Sequence, residues 1–211
     1  MTPVAIKVCG ITRVEDAERA VEIGASALGF VLWPRSPRAV PEARAASIAR
    51  AVPAGIRRVG VFVNPSPDDV ARAIAAIGLD AVQLHGDEPV GEFAGVGAAL
   101  VKAVTLAGES DVEAVAAVPE DVTVLVDAAD RELRGGTGRQ ANWTLAARLS
   151  ARRPVWLAGG LTAENVGEAI AIVRPVLVDV SSGVESAPGL KDCARLAAFF
   201  AAVREARKEA L

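Results

Sequence analysis

The sequence predicts an α/β fold in which strand–helix units repeat, and three observations lead to it. Short, nearly continuous apolar runs rich in Val, Leu, Ile and Ala recur along the 211 residues, as in parallel strands buried on both faces. Segments with a helical spacing of apolar residues separate these runs. Ile23–Leu28 and Ile77–Val82 share a helix end, a glycine and an aliphatic strand start, and two units of about 27 residues fill the interval between them. Eight such units favour one closed (β/α)8 barrel, the TIM-barrel architecture.

Each predicted element follows from its local pattern. The strands are expected at Ala5–Val8, Ala27–Leu32, Val59–Val63, Ala81–Leu84, Leu100–Val104, Val122–Val126, Val155–Ala158 and Val176–Val180. The helices are expected at Val14–Ile23, Pro41–Ala51, Pro67–Ile77, Asp111–Val118, Thr144–Ala151, Ala163–Val173 and Asp192–Lys208, with a weaker segment at Pro89–Gly95. No Pro-, Gly- or Ser-rich linker interrupts the series, so residues 1–211 are expected to form a single domain. Because closure is not visible in sequence, an open doubly wound sheet is the alternative.

Two helix starts resemble each other. Gly10-Ile11-Thr12 and Gly160-Leu161-Thr162 each leave a predicted strand and open a predicted helix. A threonine hydroxyl can accept a hydrogen bond from a free amide of the first helical turn, so Thr12 and Thr162 are expected as N-caps. Glu15, three residues after Thr12, would complete a capping box.

The composition excludes several classes of protein. With 52% hydrophobic residues the chain is not disordered, and 23 basic against 26 acidic residues provide no general attraction to nucleic acid or to an anionic membrane. No apolar run reaches the roughly 18 residues of a membrane span, and Lys7 and Cys9 interrupt the region where a signal peptide would be apolar. We therefore expect a soluble, cytoplasmic protein with no nucleic-acid or membrane partner. Cys9 and Cys193 are too far apart for a zinc knuckle or a redox pair and are expected to be free thiols.

In a (β/α)8 barrel the active site lies at the carboxyl ends of the strands and in the loops that follow them. This criterion selects Cys9, Trp33–Arg38, Asn64, His85, Lys102, Asp127, Gly159-Gly160 and Ser181–Gly183. No cluster of metal-ligating side chains is visible among them, so no metal site is predicted.

Two glycine-containing loops indicate a phosphate site. Gly159-Gly160 follows the seventh strand and Ser182-Gly183 follows the eighth. Glycine lets backbone amides approach an anion, and barrels often bind phosphate at these two strands. One glycine pair alone would more often be a simple turn, but two on consecutive strands favour phosphate. Gly135–Gly138, after the sixth strand, is a candidate mobile loop that could close over a ligand or be merely flexible.

Cys9 and Asp127 are the candidate catalytic groups. An isolated cysteine is usually a buried structural thiol, but Cys9 ends a strand, where it could act as a base or nucleophile. Asp127 closes a very apolar run, so its carboxylate must be paired or serve as an acid. Cys193, on the last predicted helix, is expected to serve packing.

Four further polar residues are weighed by position. Asp179 lies within the eighth strand and is interpreted as a group lining or supporting the pocket. His85, the single histidine, is more often a satisfied core group than a catalyst, and nothing local supplies a partner. Arg35 and Arg38 flank Ser36-Pro37, and a fixed guanidinium there could hold a carboxylate by two hydrogen bonds. Two solvated surface arginines are an equally good interpretation.

The ordered motif set resembles that of phosphoribosylanthranilate isomerases of tryptophan biosynthesis. The motifs are Lys7–Thr12, Gly29–Val31 with Ser36–Arg38, Gly60–Asn64, Val82–Gly86, Gly135–Gly138, Ala158–Leu161 and Asp179–Glu185. The resemblance spans residue 4 to about residue 192, and seven motifs in order are far more specific than any one of them.

The resemblance implies the Amadori rearrangement of N-(5′-phosphoribosyl)anthranilate to 1-(2-carboxyphenylamino)-1-deoxyribulose 5-phosphate, without metal or organic cofactor. It assigns Cys9 as general base, Asp127 as general acid and Arg38 as the partner of the anthranilate carboxylate. The residues expected to bind substrate are Arg38, Gln83, His85, Gly136, Gly159, Gly160, Asp179, Ser182 and Gly183. A monomer or a homodimer is expected.

One motif departs from the family pattern. The family commonly has Phe-Asp-Trp where this chain has Ala141-Asn142-Trp143. The change removes an apolar contact and a charge, which puts loop docking and helix capping in question, although Asn can still cap a helix.

Three other functions compete with this interpretation. A relative of the histidine-pathway isomerase would use two aspartates, and Cys9 argues against it. A lyase similar to indole-glycerol-phosphate synthase would need a lysine acid, for which Lys102 is the candidate. A non-catalytic phosphate-binding protein would tolerate Cys9→Ser and Asp127→Asn.

Overall fold

The computed structural model describes residues 4–127 and 141–209, and in this part of the chain eight parallel strands form a closed barrel. The barrel strands are β1 (Ala5–Cys9), β2 (Ala27–Val31), β3 (Arg57–Phe62), β4 (Ala81–Leu84), β5 (Ala99–Thr105), β6 (Thr123–Asp127), β7 (Val155–Leu157) and β8 (Leu177–Val180). The helices are α1 (Val14–Glu22), α2 (Glu42–Ala51), α3 (Pro67–Ile77), α4 (Glu109–Ala116), α5 (Trp143–Ser150), α6 (Val166–Val173) and α7 (Cys193–Glu209). A small antiparallel pair, β9 (Glu185–Ala187) and β10 (Leu190–Lys191), follows β8.

Pairing between β1 and β8 closes the sheet. Each strand pairs in parallel with the next one along the chain, and Ala5–Val8 of β1 are in register with Leu177–Val180 of β8. The predicted (β/α)8 barrel is therefore confirmed, and the open doubly wound alternative is wrong. The predicted strands agree with the observed ones to within two residues at each end. The weak segment at Pro89–Gly95 contains a short 3₁₀ helix, Val90–Phe93.

The strands divide the core into two apolar regions. Alternate side chains point outward and pack under the helices, as Val8, Leu28 and Leu84 do. The others point into the barrel, where Trp156 packs among residues that include four alanines. The inward-facing set is Ala27, Val59, Ala81, Val101, Ala103, Leu125, Trp156, Ala158 and Leu177. Small side chains around one large ring fill the barrel interior without overcrowding it. In the part of the chain that is described, no helix is long and apolar enough to cross a membrane.

The predicted threonine caps are wrong. The residue before α1 is Arg13, whose guanidinium binds Asp16, and no side chain caps this helix. The Thr12 hydroxyl instead donates to the Gly189 carbonyl at 2.6 Å, so a contact distant in sequence replaces the local one.

The start of α6 also differs from the prediction, because Thr162 opens a turn and the helix begins at Val166. Within that turn, the Thr162 amide donates to Asn165 Oδ1 at 2.8 Å. By contrast, Asn142 caps α5 by accepting from the Leu145 amide at 3.1 Å. The expectation that Asn can replace the family's Asp as a cap is confirmed.

A charged pair lies inside the barrel. Lys7 points inward from β1 with no exposed surface, and its Nζ lies 2.7 Å from Asp179 Oδ2 and 3.0 Å from Gln83 Oε1. The strand register places Lys7 directly beside Asp179 on β8. Burial alone would lower the pKa of Lys7, but the charges of Asp179 and Cys9 more than offset it, so the pKa is raised. The raised pKa therefore favours the ammonium form of Lys7 inside the barrel.

Removing only one member of this pair should be costly. Lys7→Met leaves the Asp179 carboxylate without its ammonium partner, and we expect a loss of about 3–5 kcal/mol in the free energy of unfolding. The double variant Lys7→Met/Asp179→Leu should recover most of this loss because no buried charge is then unpaired. Urea unfolding followed by tryptophan fluorescence measures both. Losses that simply add in the double variant would contradict the assignment of a mutually compensating pair.

Candidate active site

The carboxyl ends of the strands bring the predicted polar residues to one mouth of the barrel. Cys9 is the last residue of β1 and Asp127 the last of β6, while His85 and Ser181 directly follow β4 and β8. Asp179 interacts electrostatically with Asp127 and with His85, as well as with Lys7. Groups on four strands that are widely separated in sequence thus share one site.

Close polar contacts connect Lys7 to Asp127 through Gln83 and His85. The Lys7 ammonium donates to Gln83 Oε1 at 3.0 Å, and Gln83 Nε2 lies 2.8 Å from His85 Nδ1. His85 Nε2 in turn lies 3.2 Å from Asp127 Oδ2. Gln83 is 1% exposed, whereas the His85 and Asp127 side chains are 13% and 9% exposed. The expectation that His85 has no local partner is wrong, since it has one on each side.

Cys9 lies next to this chain of polar contacts. It packs against Val31, Val61 and Trp33. A side chain at Gly29 would place its Cβ 2.7 Å from Cys9 Sγ, so the thiol occupies space that only glycine leaves open. Burial raises the pKa of the Cys9 thiol, and the Asp179 charge adds to this, while the cationic Lys7 and Lys191 lower it in part.

The second cysteine has a different setting. Cys193, at the start of α7, is an exposed free thiol. The expectation that it serves packing is wrong, because the first turn of this helix faces solvent at that position.

Arg38 and Arg35, which their sequence positions alone do not distinguish, have different surroundings in the structure. Arg38 is 8% exposed and donates to Glu185 from Nε at 3.0 Å and from Nη2 at 2.7 Å. This pair does not involve Nη1. Arg35 is exposed, and its guanidinium carbon lies 5.7 Å from the centre of the Trp33 ring. Arg38 is therefore buried and held in a fixed orientation, whereas Arg35 lies on the surface.

Glu185 and Lys191 are two site residues that sequence reasoning missed. Lys191 Nζ lies 2.7 Å from Glu185 Oε1 and donates to the Cys9 carbonyl at 2.6 Å. Burial alone would raise the pKa of Glu185, but Arg38 and Lys191 lower it below its ordinary value. Burial also lowers the pKa of Lys191 despite the nearby carboxylate. Glu185 stands in one of the recognised motifs without an assigned role, and no local signal marks Lys191.

The two glycine loops lie against each other. A Cβ at Gly183 would lie 2.0 Å from the Leu161 carbonyl oxygen, so the loop after β8 touches the loop after β7. Gly159 and Gly160 have φ values of 87° and 61°, which favour glycine. A 3₁₀ helix, Ser182–Val184, begins at this contact.

Two buried oxygens at this mouth have no hydrogen-bond partner among the described residues. They are Asp179 Oδ1 and Ser181 Oγ. Buried polar atoms are rarely left unpaired, so both are suited to meeting a ligand. Gly136 and the whole Gly135–Gly138 segment lie outside the described residues.

Lys102 and Asn64, although selected by strand position, serve the loop after β4. The neighbours Val101 and Ala103 face the barrel interior, so Lys102 points outward, where it donates to the carbonyls of Gly86 at 2.8 Å and Glu88 at 3.1 Å. Asn64 Oδ1 accepts from the Asp87 amide at 2.8 Å. This geometry does not favour the lyase alternative, which requires a lysine acid at the mouth.

Comparisons with known sequences point to one family. A family model described as N-(5′-phosphoribosyl)anthranilate (PRA) isomerase matches residues 6–202. The N-(5′-phosphoribosyl)anthranilate isomerase of Pelobacter propionicus is 45% identical over 206 residues, covering 98% of each chain. The one from Pseudomonas fluorescens is 46% identical over 205 residues, covering 97% of this chain and all of the relative.

Solved structures agree with the sequence relatives. The crystal structure of phosphoribosyl anthranilate isomerase from Thermotoga maritima matches with a TM-score of 0.89 and 38% identity, over 96% of this chain and 99% of that one. A structure of the isomerase in complex with reduced 1-(o-carboxyphenylamino)-1-deoxyribulose 5-phosphate has a TM-score of 0.85, with the same identity and coverage. At this similarity along nearly its whole length, the chain belongs to the N-(5′-phosphoribosyl)anthranilate isomerase family.

Proposed function

We propose that this chain catalyses the Amadori rearrangement of N-(5′-phosphoribosyl)anthranilate to 1-(2-carboxyphenylamino)-1-deoxyribulose 5-phosphate in tryptophan biosynthesis. One observation carries the proposal: a thiol and a carboxyl group, Cys9 on β1 and Asp127 on β6, end strands at the same mouth of the barrel. Acid and base work on one sugar requires two such groups on separate elements.

Asp127 acts as general acid in the first step. It donates a proton to the furanose ring oxygen as the bond from that oxygen to C1 breaks. The nitrogen lone pair forms the C1=N bond, which gives an open-chain protonated Schiff base. His85 Nε2 lies 3.2 Å from Asp127 Oδ2 and so helps to orient the carboxyl group.

Cys9 acts as general base in the second step. The thiolate removes the proton from C2, and the electron pair of that C–H bond forms C1=C2 while the C1=N electrons return to nitrogen. The resulting enolamine tautomerises to the ketone. Burial raises the pKa of the Cys9 thiol, so the thiolate is less abundant but a stronger base. The positive charges of Lys7 and Lys191 lower this pKa in part and so favour the thiolate.

The two anionic ends of the substrate have separate partners. Arg38, already oriented by Glu185, binds the anthranilate carboxylate through the guanidinium edge that includes Nη1. The phosphate is bound by backbone amides of the two touching glycine loops, Gly159-Gly160 and Ser182-Gly183. Asp179 Oδ1 is available for a sugar hydroxyl. The role of Gly136 stays a prediction from sequence.

The oligomeric state and the cellular location of this chain are questions separate from the chemistry of the site. The Thermotoga maritima isomerase has been described as dimeric. For this chain, either a monomer or a homodimer in the cytoplasm, with the phosphosugar substrate as its small-molecule partner, stays our prediction.

The direct test is a fluorescence assay of the purified protein with freshly prepared phosphoribosylanthranilate. We expect the fluorescence of the anthranilate adduct to fall with time under conditions in which a known isomerase of the family is active. No fall in fluorescence under those conditions would refute the proposed function.

Replacing either catalytic group should affect turnover more than binding. We expect Cys9→Ser and Asp127→Asn each to lower kcat by about 100-fold or more, because each removes a proton-transfer group while keeping a similar shape. Cys193→Ser is the matched control, since it changes the exposed thiol, and it should leave kcat unchanged. Full turnover in both site variants would overturn the assignment of Cys9 as general base and Asp127 as general acid.

Arg38 should govern substrate affinity. Arg38→Ala removes charge-assisted hydrogen bonds to the substrate carboxylate, so we expect KM to rise by about 10- to 100-fold with a smaller change in kcat. Arg35→Ala, on the same loop but exposed, is the control and should leave KM unchanged. Circular dichroism checks that Arg38→Ala still folds, because the variant also removes a partner of Glu185. An unaltered KM in a folded Arg38→Ala protein would exclude this arginine from the carboxylate site.

A further inference from the structure

Gln83 occupies a position that binding of a substrate does not explain. It is 1% exposed, and both ends of its amide are engaged, one by Lys7 and the other by His85. With 1% of its surface exposed, the side chain offers a ligand almost no area to contact. The side chain thus stands between a buried ammonium and a histidine at the mouth, which indicates a role exerted through His85.

The Lys7 ammonium determines the order of donors along this chain. An ammonium group only donates, so the amide atom that faces it at 3.0 Å must be the Gln83 oxygen. The amide nitrogen then faces His85 Nδ1 at 2.8 Å and donates to it. Nδ1 must therefore be without a proton, and the ring proton lies on Nε2, 3.2 Å from Asp127 Oδ2. The reverse orientation of the amide would set its NH₂ group against the ammonium.

We propose that Lys7 and Gln83 are positioning residues that hold His85 as the neutral Nε2–H tautomer. His85 then directs its Nε2–H at Asp127 Oδ2, 3.2 Å away, and so orients the carboxyl group. The assignment of Asp127 as the acid rests on the proposed function, whereas the order of hydrogen bonds does not.

The neutral tautomer matters for acid catalysis. A neutral imidazole N–H fixes the carboxyl group by a hydrogen bond without placing a full positive charge beside it. A doubly protonated imidazolium would form an ion pair with the Asp127 carboxylate and favour the form that has already lost its proton. The Gln83 N–H directed at Nδ1 opposes that second ring proton. Asp179 contributes by pairing with Lys7, which keeps the ammonium charged and therefore an obligatory donor.

The chain offers a direct spectroscopic test, because His85 is its only histidine. In ¹⁵N-labelled wild-type protein, NMR spectra that correlate the imidazole nitrogens with the ring C–H protons should show one ring system, with Nε2 protonated and Nδ1 unprotonated. Gln83→Glu replaces the amide donor by an acceptor of nearly the same shape that can still bind Lys7. We expect Nδ1 to become protonated in this variant, and kcat to fall by about 10- to 100-fold with a smaller change in KM.

Two further variants separate positioning from simple packing. Val101→Ala shortens an inward-facing side chain that lies directly opposite Gln83 in the β4–β5 register, and it removes no hydrogen bond. It should lower stability without moving the His85 nitrogen resonances. Gln83→Met removes both hydrogen bonds while keeping the side-chain volume, and it should abolish the preference for one tautomer. It provides the comparison if Gln83→Glu fails to fold.

The possible results discriminate between the two proposals. An Nδ1–H tautomer in the wild-type protein, or His85 resonances that are unchanged in a folded Gln83 variant, would overturn the positioning role. The expected tautomer in a wild-type protein without isomerase activity would refute the proposed function and support the order of hydrogen bonds.

Discussion

The buried ammonium group of Lys7 organises the centre of this barrel. Lys7 has no exposed surface, and its Nζ contacts Asp179 on one side and Gln83 on the other, while its charge acts on the Cys9 thiol. An isolated charge at this depth would be strongly destabilising, so the surrounding acceptors are a requirement of folding as much as of chemistry. The polar groups at the mouth thus depend on the contacts of the Lys7 ammonium, which lies deeper in the barrel.

The interior of the barrel therefore has two zones, one dominated by apolar packing and one by directional polar contacts. Below the ammonium, alanines and aliphatic side chains pack around Trp156, and their burial favours folding without directional demands. Above it, each polar atom has a geometric requirement, and Asp179 Oδ1 and Ser181 Oγ have no partner among the described residues. The lower zone supplies stability, whereas the upper zone places donors and acceptors at defined points.

Most of the fold was predictable from sequence because its signals are local. Continuous Val- and Ala-rich runs mark buried parallel strands, and a constant period marks the barrel, so even β7, which is only three residues long, was located. Cys9 and Asp127 were found because a polar residue at the end of an apolar run is conspicuous.

The features that sequence reasoning missed or misassigned depend on contacts between distant residues. The role of Lys7 requires the register with Asp179, and that register exists only once the barrel has closed. Two further features arise in the same way. Lys191 binds Glu185 and the Cys9 carbonyl, and the Thr12 hydroxyl binds the Gly189 carbonyl instead of capping a helix. Local propensity can propose a cap, but a competing partner from the other end of the chain decides whether the hydroxyl is available.

The β9–β10 hairpin has a consequence for the order of events during synthesis. Thr12 binds Gly189 and the Cys9 carbonyl binds Lys191, so the end of the first strand is secured by residues that are synthesised 177 and 182 positions later. The early strands can form and associate while the chain is still being made, yet the surroundings of Cys9 stay incomplete until the hairpin has emerged. A nascent chain that stalls before this point would therefore hold Cys9 at an unfinished seam, without the Lys191 contact to its carbonyl.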